Sequence, residues 1–121
     1  MPRSILDEFH IHPAIRERVA TNQQAIVKEV QAAVAQNAVV VVGMAMNPFP
    51  KKARTLLGEA GVVYHYVEYG SYLSLWRERN ALKLWTGWPT FPMVFVKGTL
   101  VGGANDVQEL IASGELKTLL A

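Results

Sequence analysis

The chain has 121 residues and a mass of 13.4 kDa, one domain's worth of sequence, able to bury roughly two-thirds of its unfolded surface without a staple. Half the residues are hydrophobic and 18% are charged, which excludes disorder and fibrous repeats, and a net charge of +2 gives too weak a field to expect a nucleic-acid partner. Cysteine is absent, so the chain has no disulfide, no thiolate metal ligand and no thiol nucleophile.

The opening MPRSILDEFHIHP mixes charged and apolar residues and lacks the continuous apolar core of a signal peptide. Pro13 suits a first helical turn. Ile15, Val19, Ile26, Val30 and Val34 then recur at helical spacing, with Thr21 or Asn22 able to cap a second start and Asn37 as the stop. Residues 38–42 are a valine-rich run without alternation, which predicts a strand buried on both faces. The longest apolar run, residues 38–46, is too short to span a bilayer, so a soluble, cytoplasmic protein without a membrane partner is expected.

Residues 43–50 read as a loop with two prolines, and residues 51–60 as a helix ended by Gly61. Residues 62–68 alternate as a strand. Ser71 is placed to cap a helix over residues 72–84. A turn-rich stretch through Pro89 and Pro92 leads to two short strands, 93–96 and 99–101, joined at Lys97 and Gly98. Asn105 is placed to cap a helix through Val107, Leu110 and Ile111, and Leu116, Leu119 and Leu120 close the chain. The order α, β, α, β, α, β, β, α predicts an α/β fold. Its four-stranded mixed sheet has helices on both faces, with the first two strands parallel through a right-handed crossover and the last two a hairpin.

Several motifs then resemble one family. VVVVGMAMNPFPKKARTLLGEAGV is similar to the first βαβ entry of glutaredoxins, and WPTFPMVFVKGTLVGGANDVQEL to their second half. Thr90, Phe91 and Pro92 resemble the family's Thr-Val-Pro signature, whose proline is cis. Gly102, Gly103, Asn105 and Asp106 resemble its Gly-Gly-x-Asp-Asp loop. The match runs from about residue 39 to residue 120. It implies a thioredoxin-like fold of the glutaredoxin type over residues 38–121. Residues 1–37 form an N-terminal extension, with an extra helix packed on the domain.

The family's Cys-Pro-Tyr-Cys or Cys-Gly-Phe-Ser active site reads Asn47-Pro48-Phe49-Pro50 here, and its preceding lysine is Met44. Thiol–disulfide exchange requires a thiolate attacking a disulfide sulfur. Oxidoreductase activity and ligation of an iron–sulfur cluster are therefore expected to be absent, and no residue is assigned as catalytic. Asn47 is a good N-cap and prolines suit a first turn, so these vestigial positions read first as a helix start, with Phe49 exposed at the tip.

The resemblance also implies a glutathione-like site. The backbone at Thr90, Phe91 and Pro92 would pair with the cysteinyl part. The turn Gly103, Ala104, Asn105 and Asp106 would take the γ-glutamyl end at a helix N-terminus. Arg79, nine residues before Trp88, would meet the glycyl carboxylate, with Arg77 and Lys83 as neighbouring alternatives. Each has a plainer use: Pro92 as a strand start, Asn105 as a cap, Arg79 on a solvated face.

His10, His12 and His65 make no metal set. Met44, Met46 and Met93 are expected to line the place of the missing sulfur. The expected function is a cysteine-less glutaredoxin-like module that binds glutathione, a similar peptide or a protein partner noncovalently, without a cofactor. Two alternatives stay open. One is an enzyme using bound glutathione as its thiol; the other is the family's role in redox homeostasis and electron transfer.

Overall fold

Val39, Val40, Val41 and Val42 set the layering. All four are buried in strand β1 (Val39–Gly43), and successive side chains of a strand point to opposite faces. Val39 and Val41 pack with Ala53 and Leu57 of α3 (Pro48–Glu59) and Val107 of α5 (Ala104–Ala112). Val40 and Val42 pack with Ile26 and Val30 of α2 (Gln24–Gln36) and with Ala81 and Leu82 of α4 (Trp76–Thr86). Burying each valine contributes about 1.5–3 kcal/mol relative to exposure. β3 (Met93–Val96) repeats the alternation, with Met93 and Phe95 on the α2/α4 side and Val94 and Val96 on the α3/α5 side. Two apolar cores thus sandwich one sheet.

The computed structural model describes residues 2–121, so the first residue of the predicted 1–37 extension lies outside it. The sheet order is β2-β1-β3-β4, with β2 at His65–Glu68 and β4 at Thr99–Gly102. β1 and β2 are parallel and β3–β4 antiparallel, as expected, and the two pairs are joined by an antiparallel β1–β3 pairing. Among the described residues no helix is long and apolar enough to cross a membrane.

Several local expectations are corrected. The second helix start falls at Gln23 rather than at Thr21 or Asn22: α1 (Pro13–Thr21) and α2 are divided there because Gln23 adopts a left-handed conformation with φ of 49°. A short 3-10 turn at Glu8–His10, capped by Asp7, precedes them. Residues 62–64 are not strand, since the Val62 N–H stays with Leu57 O at 2.9 Å and Val63 projects into solvent.

α4 begins at Trp76 rather than at residue 72. Ser71 and Ser74 make local turn bonds, and the guanidinium of Arg79 reaches back to the carbonyls of Tyr69 and Ser74. Gly103, not Asn105, caps α5, and a last helix α6 (Glu115–Leu120) follows.

Candidate functional site

α3 starts three residues earlier than expected, at Pro48. Asn47 caps it: its Oδ1 accepts the Phe49 N–H at 3.0 Å. Pro48 and Pro50 have no N–H to offer, and Pro50 is fully buried. Of the first three helical residues, the one N–H present is therefore already bonded. An incoming anion finds no free donor there, although helix N-termini usually bind anions through such groups. Asn47 also reaches across the site, its Nδ2 donating to Phe91 O at 3.3 Å.

The Phe91–Pro92 peptide bond is cis, and the Phe91 ring is buried. The ammonium of Lys83 lies 5.8 Å from that ring's centroid. β4 then ends at Gly102, whose φ of +117° lies in the left-handed region that favours glycine. A Cβ there would come within 2.5 Å of the Asp106 carboxylate. That carboxylate accepts the Gly103 N–H at 2.9 Å, an acid in the third helical position closing on the cap. Asn105, freed from capping, accepts a hydrogen bond from Lys52 Nζ at 3.0 Å and ties α5 to α3.

These segments enclose a cavity of about 280 Å³, lined by Phe49, Trp88, Thr90, Phe91, Pro92, Gly103, Ala104, Asn105 and Asp106. Every proposed ligand residue but one is brought together there. The exception is Arg79, which is buried at 7% exposure and holds the Tyr69 carbonyl at 3.1 Å and the Ser74 carbonyl. Its charge organises the loop before α4 rather than the cavity.

Lys52 and Lys83 are the cations at the rim. Lys52 stands three residues after Phe49, on the same helix face, which is the signal sequence spacing offered. Met44 and Met93 are core residues, but Met46 is 75% exposed and does not join them. A larger depression of about 540 Å³, between the end of α2, Trp85 and Gly98, contains none of these residues.

Behind α3, the Arg54 guanidinium stacks 4.0 Å from the centroid of Tyr66, whose hydroxyl donates to Glu68 Oε1 at 2.9 Å. Burial, then the Glu68 carboxylate, pushes the Tyr66 pKa up to about 12. Tyr69 is raised by the same causes, burial first and then the Glu29 carboxylate, which accepts a hydrogen bond from its hydroxyl at 2.8 Å.

Comparison with known proteins matches this arrangement. Residues 39–101 fit the glutaredoxin family profile. A glutaredoxin-like protein of Dictyostelium discoideum is 48% identical over 91 residues, 75% of this chain and 74% of its own. Oxidized glutaredoxin 2 of Chlamydomonas reinhardtii superposes with a TM-score of 0.71 at 30% identity, covering 82% of this chain and 94% of that one. A buckwheat glutaredoxin, solved as a glutathione complex, gives 0.70 at 26% identity over 82% and 90%. The chain spans between 17% and 28% of the length of three longer glutaredoxins it also matches. The profile match over residues 39–101 and the identity to the Dictyostelium relative show that the chain belongs to the glutaredoxin family, as a member with no cysteine.

Proposed function

We propose that the chain is a binding module that does not carry out thiol–disulfide exchange, and that its groove takes glutathione or a similar peptide noncovalently. One observation carries this reading. Seven residues from two separate segments, 90–92 and 103–106, converge on one cavity, while Asn47 and Pro50 stand at both sulfur positions beside it. Exchange begins with a thiolate, and this chain has none.

The remaining chemistry suits binding. An extended ligand can lie along residues 90–92, a carboxylate can meet the start of α5, and Lys52 and Lys83 add positive charge at the rim. The buckwheat complex supports the choice of ligand. A protein segment presenting the same extended backbone would use the same contacts. The reading in which bound glutathione supplies a reactive thiol has less support, because the first turn of α3 holds no free N–H for a thiolate.

The test is a glutathione titration of the isotope-labelled chain. Amide shifts at Phe91, Ala104 and Asn105 are expected, saturating in the millimolar range. Asp106→Ala should weaken binding about tenfold, the worth of one hydrogen bond to a charged group. No shift at millimolar ligand overturns the reading.

A further inference from the structure

The geometry points to Asn47 as a specificity-determining residue that masks the Phe91 carbonyl, the backbone acceptor a peptide ligand would use; this rests on the proposed function. The side-chain amide is engaged at both ends. Oδ1 takes the Phe49 N–H at 3.0 Å and Nδ2 donates to Phe91 O at 3.3 Å. The first contact requires an oxygen and the second a nitrogen, so the network fixes which way the amide faces.

Phe91 precedes β3, outside the strand ladder, and lines the cavity. A ligand lying along residues 90–92 as an added strand exchanges N–H and C=O groups with that backbone. Its N–H finds the carbonyl already engaged. The bond is at the long end of the hydrogen-bond range, and a carbonyl keeps a second lone pair. Masking therefore lowers affinity rather than closing the groove. A thiol at this position is only a weak donor and would mask far less. Asparagine thus adds a competitor for the ligand's acceptor as well as removing a nucleophile.

The test compares glutathione affinity of the full chain with that of Asn47→Ser and Asn47→Ala, read on the folded fraction. Serine keeps an oxygen for the Phe49 N–H but is too short to reach Phe91 O, so the cap of α3 survives. Asn47→Ser is expected to bind glutathione roughly two- to tenfold more tightly than the natural chain, the worth of one modest hydrogen bond. Asn47→Ala should follow it in affinity while losing stability. The Phe91 carbonyl carbon resonance should move in both free variants.

Equal or weaker binding by Asn47→Ser overturns the inference and leaves the proposed function standing. Binding by the variants alone supports the inference and overturns glutathione as the natural chain's ligand. Failure of all three proteins to bind at millimolar glutathione overturns both.

Discussion

Two helix starts border the groove, and they are built in opposite ways. α3 begins with an asparagine cap and prolines in its first and third positions, and its remaining N–H is bonded to Asn47. α5 begins with a glycine cap and no proline, and Asp106 secures only the Gly103 N–H. Ala104 and Asn105 thus bring backbone N–H groups to the positive end of α5. The start of α3 is good at being a helix start and poor at receiving charge; the start of α5 is good at both. The vestigial sulfur positions and the backbone donors offered to a ligand thus sit on different helix ends, so the loss of one leaves the other in place.

Breaking the α5 half should have the largest effect. Gly102→Ala asks an L residue to hold a φ of +117° and places a methyl group 2.5 Å from Asp106 Oδ2. Strain and clash together should cost about 3 kcal/mol, read as a drop in denaturation midpoint at unchanged slope. Ligand-induced shifts at Ala104 and Asn105 should vanish with it. A loss confined to less than about 0.5 kcal/mol, the scatter of ordinary surface substitutions, would show that the glycine loop is not the constraint that shapes this helix start.

A smaller effect is expected from rebuilding the α3 half. Asn47→Cys should form a mixed disulfide when given oxidised glutathione, its thiolate attacking one sulfur of that disulfide and the other half leaving as glutathione thiolate, since the groove needs only a sulfur at its edge. Adding Pro50→Ser returns an N–H to the first turn, and a helix N-terminus lowers a thiol pKa. A donor and dipole contribution of about 0.3–1 kcal/mol predicts roughly two- to fivefold faster reaction of the double variant near neutral pH. Mass spectrometry of timed samples measures both. Identical rates would mean that the two prolines are not what separates the two helix starts.

The same contrast explains what was legible in the sequence. Val39–Gly43 announced the central strand because four adjacent valines have no exposed face to offer, while the glycine turn and TFP triplet pointed to the groove through their resemblance to the glutaredoxin motifs. What failed was decided by contacts and backbone turns that apolar periodicity does not encode. The start of α4 depends on Arg79 reaching back to Tyr69 and Ser74, and that same reach removes Arg79 from the cavity to which the family resemblance assigned it. The break at Gln23 falls on a residue with no particular preference for left-handed backbone. Asn105 looked like a cap until Lys52, 53 residues away in the chain, supplied another partner and Asp106 took the capping role.

The smallest effect appears only in alkali, and it separates the two halves by pH. Tyr66 packs against the α3 side: a Cβ on Gly43 would lie 2.8 Å from both the Tyr66 hydroxyl and Pro50 Cβ, and Arg54 of α3 covers its ring. Its pKa is raised from 10.0 to about 12 by burial first and by Glu68 next. A raised folded-state value means that the protonated hydroxyl is favoured by folding. Its stabilisation is complete below about pH 10 and is lost as pH rises from 10 towards 12. Tyr69, raised by burial and Glu29, adds loss in the same direction. Stability is therefore expected to be flat with respect to these groups at neutral pH and to fall above pH 10. Hydrogen exchange in α3, whose Arg54 lies over the Tyr66 ring, should quicken over the same pH range. Tyr66→Phe with Tyr69→Phe should flatten the alkaline limb of a denaturation series. An unchanged limb in the double variant would show that these two hydroxyls do not carry the loss, and would leave the two helix starts equally tolerant of high pH.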